Sequence, residues 1–286
     1  MSTIIQLLYS LIIGIVQGVS EWLPISSKTQ IIVSSQLLLG LSIKTAYIFG
    51  LFMEIGTLFA AIIYFRKDIL KLVQVLRGSK DPLKRKLFTC ILVITVITAL
   101  IAAPLVIVTT QFIGDSTTSP AVGIPMLVLG LILMGDAALI RYSKTRQNAS
   151  PRKLENLTLK DYIVVGISQG ISALPGVSRS GTTTSAMLLL GIEPDEAFKL
   201  SFTAGIFAAA GAFALTLVQY RSDLSTAIAT IGSAGLVLAI VTSTVISLFL
   251  IDFLVKVAGK QKIIYLTASL GVVAIASGLI ILIFHI

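Results

Sequence analysis

The chain has 286 residues, of which 56% are hydrophobic and only 12% are charged, and its mean hydropathy is +0.99. This composition excludes an ordinary soluble globular protein and is typical of a polytopic membrane protein. The formal net charge of +9 does not indicate nucleic-acid binding, because most of the basic residues are confined to three connecting segments.

The first 40 residues contain a motif that returns later in the chain. The first motif, residues 14–40, reads GIVQGVSEWLPISSKTQIIVSSQLLLG, and the second motif, residues 166–191, reads GISQGISALPGVSRSGTTTSAMLLLG. With one deletion near Trp22, their polar positions align in pairs: Gln17 with Gln169, Gly18 with Gly170, Ser20 with Ser172, Pro24 with Pro175, Ser27 with Ser178 and Lys28 with Arg179. This match indicates an internal duplication.

Each motif interrupts an apolar sequence with polar residues and proline. The apolar stretches on either side of the interruption are short for a membrane crossing. We therefore predict a re-entrant helical hairpin at 3–40 and another at 162–191. Such breaks are tolerated at membrane depth only where protein or a water-filled cavity surrounds them.

Six other apolar segments are long enough to cross a hydrocarbon core of about 30 Å. They are residues 45–65, 87–110, 120–140, 197–219, 227–254 and 263–284. The predicted fold is an all-α polytopic membrane protein with a single membrane domain. Each half, 1–145 and 146–286, has one hairpin and three transmembrane helices. An odd number of crossings in the first half inverts the second, which predicts an inverted-topology repeat.

The basic residues orient this arrangement in the membrane. Of the 22 Lys and Arg residues, eight lie in 66–86, six in 141–161 and three in 255–262. The positive-inside rule places these three segments in the cytoplasm. We therefore predict a multi-pass protein of the plasma membrane with both termini outside the cell.

The polar residues of the two motifs are costly at membrane depth and are expected to be functional. Two facing helix N-termini would offer unpaired N–H groups to an anion. Arg179 adds a planar fork that suits phosphate, and Lys28 adds a point charge. Glu21 is a candidate general base or metal ligand, and no second carboxylate lies near it in the sequence. Further contacts to the anion are expected from Ser26, Ser27, Ser178, Ser180, Gly181 and Thr183.

Several of these residues also have a structural interpretation. Arg179 would then be only the buried partner of Glu21, and Lys28 would extend to the outer membrane interface. Glu54, inside the 45–65 span, is expected either to line the cavity or to form a structural hydrogen bond. The remaining polar or reactive residues are expected in surface ion pairs, in packing or in no specific role: Asp136, Asp252, Cys90 and His285.

At these residues the chain resembles the undecaprenyl-diphosphate phosphatase family, which is also known for bacitracin resistance. EWLPISS, residues 21–27, resembles the family's first motif, and PGVSRSGTT, residues 175–183, resembles its second. The resemblance implies an inverted repeat with two re-entrant hairpins. It also implies removal of the terminal phosphate of undecaprenyl diphosphate, usually with a divalent cation, Mg²⁺ or Ca²⁺. The functional positions that it implies are Glu21, Ser27, Ser178, Arg179 and Thr183.

Two positions depart from the family pattern: Gln17 stands where the family typically has Glu, and Gln30 where it has His. An amide binds phosphate but neither binds metal strongly nor carries protons. We predict an integral membrane phosphatase that converts a long-chain polyprenyl diphosphate to the monophosphate. Glu21, Ser27 and Arg179 would be catalytic, with Glu21 also the metal ligand, and Gln17 and Gln30 would join the substrate-binding residues.

Three alternatives to this function stay open. The lipid would be a different carrier, such as a dolichyl type, or the protein would be a lipid-phosphate flippase or transporter. It would otherwise be a catalytically weak relative that binds polyprenyl phosphate. A homodimer is compatible with the sequence.

Overall fold

A computed structural model describes residues 3–23, 25–113, 152–258 and 263–284, together with scattered positions between 124 and 141. The described residues form α-helices joined by short connections, with one 3₁₀ turn at Leu154–Asn156 and one isolated bridge between Arg152 and Ile192. The helices are α1 (Thr3–Ser20), α2 (Ser27–Leu39), α3 (Ile43–Tyr64), α4 (Arg66–Leu76), α5 (Pro82–Ile113), α6 (Leu159–Ile171), α7 (Arg179–Leu189), α8 (Pro194–Gln219), α9 (Arg221–Ile231), α10 (Ser233–Ala258) and α11 (Ile263–Phe284).

The structure confirms an all-helical membrane protein. Within the described ranges, five helices are long and apolar enough to cross a membrane: α1, α3, α5, α8 and α10. Four of the predicted spans correspond to α3, α5, α8 and α11, with ends that differ by up to five residues. Only scattered positions of the predicted span 120–140 are described, and Pro24, Asp136 and His285 lie outside the described residues.

Three sequence-based boundaries were wrong. The predicted span 227–254 begins instead at Ser233, because Gly232 takes a positive φ of 79° and separates α9 from α10. The basic segment 66–86 contains a helix, α4, which sequence analysis treated as a loop. The apolar stretch before the first break is an 18-residue helix, α1, and is therefore not too short to cross.

Two pairs of glycines allow helices from opposite halves of the chain to pack closely. A Cβ atom at Gly14 or Gly18 of α1 would lie within 3 Å of α10 atoms, at Ala239 and Ile246. Gly166 and Gly170 of α6 are equally tight against α5, at Ile97 and Ile101 respectively. Glycines four residues apart permit such close approach of two helices. The helix that precedes each break is thus held against the long helix of the other half.

The central helix of the bundle is α3. It packs against α2, α8, α9 and α10, and its middle section is almost wholly buried. Tyr47, Phe49 and Met53 of this helix are fully inaccessible. Burying aromatic and aliphatic side chains of this size stabilises a helix in its packed position. This packing fixes Glu54, which lies on the same helix, beside the breaks of both motifs.

Candidate active site

The two breaks meet inside the protein. The first break comprises residues 21–26, between α1 and α2, and the second comprises residues 172–178, between α6 and α7. The backbone N–H of Gly176 donates a hydrogen bond to Thr29 Oγ1 (3.0 Å), and the Ser180 hydroxyl donates to the carbonyl oxygen of Glu21 (3.2 Å). These bonds join opposite halves of the chain and hold the polar residues of both motifs in one cluster.

A buried ion pair lies at the centre of this cluster. Arg179 Nη2 is 2.6 Å from Glu21 Oε1, and Gln17 Nε2 donates to Glu21 Oε2 at 2.9 Å. Arg179 Nη1 donates to the carbonyl oxygen of Gly205 in α8. All three side chains are buried. Removing one partner of such a pair would leave an uncompensated charge in the interior, which costs roughly 3–5 kcal/mol.

A second acidic residue, Glu54, extends this network. Its Oε2 lies 3.9 Å from Arg179 Nη1, and its Oε1 lies 3.6 Å from Lys28 Nζ. No second carboxylate lies near Glu21 in the sequence, but α3 brings Glu54 to the same guanidinium in the folded chain. Lys28 is buried and does not extend to the membrane interface. Two carboxylates and two cations thus share one buried site.

The helices that leave the two breaks begin in different ways. Ser26, before α2, has φ 56° and ψ 92°, and its side chain makes no capping hydrogen bond. It is the one non-glycine residue with positive φ in the described part of the chain. A backbone in this region is strained by an amount of order 1–3 kcal/mol and is often found at functional sites. Ser178, before α7, is extended, and its hydroxyl accepts a hydrogen bond from the N–H of Gly181 (3.3 Å).

The other predicted site residues differ in how firmly the protein holds them. Gln30 Nε2 donates to the carbonyl oxygen of Ile25 (3.2 Å). Thr183 Oγ1 donates to the carbonyl oxygen of Arg179 (2.7 Å) and also pairs with Ser201. Ser27 is a buried residue, and its hydroxyl makes no hydrogen bond to any described residue. The hydroxyl of Ser27 is therefore not committed to a hydrogen-bond partner in the described part of the chain.

A cavity of about 470 Å³ adjoins the charged cluster. Lys28, Glu54 and Arg179 form its charged end, whereas Glu21, Ser27 and Ser178 do not line it. The cavity continues along α5 from Thr95 to Val106 and along α8 from Phe207 to Val218, between small and apolar side chains. Eleven residues of helix rise by about 16 Å, so the cavity is long. Gly211 and Val218 in its wall are exposed, which means that the cavity reaches the surface.

The donor set for a divalent cation is small. The described residues contain no group of three or more His, Cys, Asp or Glu side chains that could hold a metal ion. Glu21 is already paired, but the side-chain amide oxygen of Gln17 beside it, Oε1, is buried and has no hydrogen-bond partner. Mg²⁺ is commonly bound by one or two protein oxygens together with substrate phosphates. Glu21 and Gln17 fit an ion bound in that way, and they do not form a complete site by themselves.

Sequence reasoning missed several residues of the site. Thr29 joins the two breaks, the Gly205 carbonyl oxygen accepts a bond from Arg179, and the Tyr47 hydroxyl donates to the carbonyl oxygen of Ala173 (2.7 Å). No sequence signal marks Gly205 or Tyr47. Gln169 lines the cavity, and its alignment with Gln17 was a signal that could have identified it.

The structural expectations for Asp252 and Cys90 are confirmed, and Asp252 pairs with Lys256 at 2.5 Å. Two threonines of the second motif differ: Thr182 donates to the carbonyl oxygen of Ser178 (2.8 Å), whereas the buried Thr184 hydroxyl has no hydrogen-bond partner. Gly18 and Gly170 are close-packing positions. Cys90 is buried in the helix packing.

A site with a charged end and a long apolar extension suits an amphiphilic anion. The fold and the site together thus define an integral membrane protein that takes a lipid with an anionic head group. The chain belongs to the family described as bacitracin resistance protein BacA, whose pattern matches residues 10–276.

Curated relatives span nearly the whole chain. A protein of Saccharolobus solfataricus named undecaprenyl-diphosphatase is 46% identical over 276 residues, which is 96% of each chain. The protein of that name from Sulfurisphaera tokodaii is 43% identical over 270 residues, 94% of this chain and 96% of the relative. The protein of that name from Pyrobaculum aerophilum is 39% identical over 273 residues, 96% of this chain and 97% of the relative.

Proposed function

We propose that this protein is an integral membrane phosphatase that hydrolyses an undecaprenyl-type polyprenyl diphosphate to the monophosphate and inorganic phosphate. The names of its relatives support this activity. The observation that carries the proposal is the cavity, because its charged end holds Lys28 and Arg179 and its far end, along α5 and α8, is apolar. The diphosphate would occupy the charged end, and the isoprenoid chain would leave between α5 and α8.

The cationic residues would bind and neutralise the phosphates. Arg179 would exchange its bond to Glu21 for a phosphate oxygen, and Lys28 would exchange Glu54 in the same way. Such charge-assisted bonds are roughly twice as strong as neutral ones. Uncapped N–H groups at the start of α2, and those of Arg179 and Ser180 at the start of α7, would supply further donors, as would the Ser178 and Ser180 hydroxyls. Gly181 would contribute only its open backbone, because its N–H donates to Ser178. Thr183 would position Arg179 through its bond to the Arg179 carbonyl oxygen.

The chemical step would use the first motif. Ser27 Oγ would attack the terminal phosphorus, and the bond from that phosphorus to the bridging oxygen would break. The lipid monophosphate leaves with that oxygen, and water then hydrolyses the phosphoserine to inorganic phosphate. Glu21, released when Arg179 turns to phosphate, would accept the proton of Ser27, or of water if water attacks directly. Gln17 would orient the Glu21 carboxylate, while Gln30 and Ser26 would hold the start of α2.

A divalent cation enters this proposal only through the substrate. A Mg²⁺ or Ca²⁺ ion would be held by Glu21, by the side-chain amide oxygen of Gln17 and by the diphosphate. It would neutralise part of the negative charge of the phosphates. Addition of a chelator should therefore raise KM for the diphosphate.

We further propose that the two halves form an inverted repeat with re-entrant hairpins, and that the basic loops are cytoplasmic. The matched packing of Gly14 and Gly18 on α10 and of Gly166 and Gly170 on α5 supports the repeat. Helix α5 starts in the basic segment 66–86, and α8 starts beside that segment, where Lys199 Nζ lies 3.7 Å from Asp68 Oδ1. The apolar end of the cavity lies along the later turns of both helices. With basic loops inside, the cavity would thus open toward the outer face of the membrane.

Phosphate release by the purified protein in detergent tests this function. Wild-type protein with undecaprenyl diphosphate should release one phosphate per lipid and leave the monophosphate. Parallel assays with dolichyl-type and shorter diphosphates would identify the lipid. Binding of the lipid with no release above the protein-free blank would refute the phosphatase and favour a weak binding relative. Transfer of lipid phosphate between leaflets of a vesicle without hydrolysis would favour the flippase.

A pair of substitutions tests whether the cavity receives the isoprenoid chain. Space for a side chain is open at Gly211, so Gly211→Leu would fill the cavity without a clash. Activity on the long lipid should fall more than tenfold, and activity on a short diphosphate should fall less. Ala210→Leu, on the exposed neighbouring position of α8, is the matched control. Equal activity of the two variants on the long lipid would contradict this placement.

A further inference from the structure

Gln169 is a buried polar side chain that the protein leaves unsatisfied. Only 1% of this residue is exposed, and neither its amide nitrogen nor its amide oxygen has a hydrogen-bond partner. It lines the cavity beside Lys28 and Arg179. An unpaired buried polar group destabilises a protein by an amount comparable to a lost hydrogen bond. Because this amide lies on the wall of a cavity, a ligand bound there could supply the missing hydrogen-bond partner.

The duplicated motif indicates what that ligand offers. In the first motif, Gln17 Nε2 donates to the carboxylate of Glu21, one helical turn further along the chain. In the second motif, Gln169 holds the position of Gln17, and Ala173 holds that of Glu21. Ala173 also lines the cavity. The amide of Gln169 therefore faces a cavity where its counterpart faces an anionic oxygen.

A second unsatisfied group lies on the adjoining helix. Thr95 Oγ1 of α5 is buried without a partner and also lines the cavity. Helix α5 packs closely on α6, since Thr98 Oγ1 donates to the carbonyl oxygen of Gly166 (3.3 Å). The cavity wall thus carries unused hydrogen-bond donors from two helices, between its charged end and its apolar extension.

We propose that Gln169, assisted by Thr95, binds the phosphate that is esterified to the lipid and remains on the product. This inference rests on the proposed function and assigns a further binding residue to the same site. A phosphate oxygen takes the place that the Glu21 carboxylate occupies in the first motif. Gln169 and Thr95 adjoin the apolar length of the cavity, where the proximal phosphate joins the isoprenoid chain. Lys28 and Arg179 then hold the terminal phosphate for attack.

Substitution of Gln169 by Leu distinguishes a role in lipid binding from a role in protein stability. We expect KM for undecaprenyl diphosphate, and Kd for undecaprenyl monophosphate, to rise about tenfold or more, because a hydrogen bond to a charged group is lost. Inhibition by inorganic phosphate, which occupies the terminal position, should not change. The substrate-free variant should melt about 2–4 °C higher, since an unsatisfied buried polar group is removed. Gln169→Glu should bind both lipids more weakly still, because its charge repels phosphate.

Kd can be measured by the fluorescence of Trp22, which is the single tryptophan of the chain and directly follows Glu21. Gln6→Leu is the matched control, because Gln6 already donates to the carbonyl oxygen of Thr230 (3.2 Å). It should lower the melting temperature and leave both lipid affinities unchanged.

The inference would be overturned by a Gln169→Leu variant with wild-type KM and wild-type monophosphate affinity, or with a lowered melting temperature. A wild-type protein that releases no phosphate would instead refute the proposed function. Binding of the monophosphate by that inactive protein, weakened in Gln169→Leu, would still support the contact.

Discussion

The two motifs match each other in sequence, but they make different contributions to the same site. The first motif provides Glu21 and the hydroxyl of Ser27, which has no hydrogen-bond partner among the described residues, and its second helix starts after a strained Ser26 that makes no capping bond. The second motif provides Arg179, and its second helix starts after Ser178, which caps it. In this account the first motif carries the reacting groups, and the second binds and neutralises the substrate.

The proposed duplication accounts for this comparison as specialisation of two equivalent segments. Both copies keep the helix–break–helix form and the glycines that fix the first helix of each pair. Within that frame, single positions changed their chemistry, as at Glu21 and Ala173. The contact between the breaks then lets a carboxylate from one copy pair with a guanidinium from the other.

Removing the aligned serines Ser27 and Ser178 one at a time should give the largest effect and tests the division of roles between the two motifs. Ser27→Ala should lower kcat by about 10⁴-fold or more, because loss of a nucleophile abolishes the covalent route. Ser178→Ala should instead cost about 1 kcal/mol of stability through the lost helix cap, with a smaller loss of activity. Phosphate release and thermal unfolding measure the two effects. Equal losses of kcat in both variants would contradict the division of roles.

Arg179 tests the binding role of the second motif. Arg179→Ala should lower kcat/KM by about 10³-fold, since a preorganised positive group is lost from the transition state. The unpaired carboxylates should also destabilise the protein by about 3–5 kcal/mol. Arg179→Lys keeps the positive charge but loses the planar guanidinium, so its kcat/KM should lie between those of the wild type and of Arg179→Ala. A double variant, Glu21→Ala with Arg179→Ala, should regain stability without activity. Hydrolysis at the wild-type rate by Arg179→Ala would show that the active site does not include Arg179.

Thr29 tests the link between the breaks. Thr29→Val removes the acceptor of the Gly176 N–H bond and leaves that group buried, which should cost about 1–3 kcal/mol. Thr29→Ser keeps the hydroxyl and serves as the control. Urea unfolding or thermal unfolding of both variants provides the measurement. The Val variant should also lose activity, because the two motifs would separate, and unchanged stability would show that the bond is unimportant.

The smallest effect is expected outside the site, where the second half begins. Arg152 Nη2 lies 2.6 Å from Asp161 Oδ2, and the N–H of Thr158 donates to the same oxygen. Partial burial alone would raise the pKa of Asp161, but the bonds from Arg152 and Thr158 lower it below its usual value. A lowered pKa in the folded state stabilises the protein above the unfolded pKa, and this contribution disappears as pH falls through the folded value.

Asp161→Asn should therefore cost about 1 kcal/mol at neutral pH with unchanged phosphate release. The difference in melting temperature between wild type and variant should shrink as pH is lowered from about 5 to about 3. A difference that stays constant over this range would show that the carboxylate charge does not contribute.

The sequence predicted the helical membrane fold and the residues of both motifs because those signals are local. Charge-free apolar runs identify spans, and a repeated polar motif identifies a site. The same signals identified Glu54 as a candidate cavity residue, and it lines the cavity. They gave no information on its approach to Arg179, which depends on the packing of α3. They also placed Gly232 inside a span, because the composition of an apolar segment does not show that one of its residues has a positive φ and ends a helix.

Gln169 is a second residue whose role depends on three-dimensional packing and could not be predicted from local sequence signals. Its alignment with Gln17 was visible in the sequence, but its unsatisfied amide and its place on the cavity wall follow from three-dimensional packing. Thr29 likewise becomes important only because Gly176 from the other half of the chain lies against it.

The central claim is that the two breaks meet within the membrane, with Glu21 and Arg179 in contact. Glu21→Cys and Arg179→Cys can be combined after Cys90, the single native cysteine, is replaced by Ala. Treatment of native membranes with a short bifunctional thiol reagent should link the two cysteines within one chain, and neither single variant should be linked. Absence of this link would contradict the account if impermeant thiol reagents also labelled the two positions from opposite sides of the membrane.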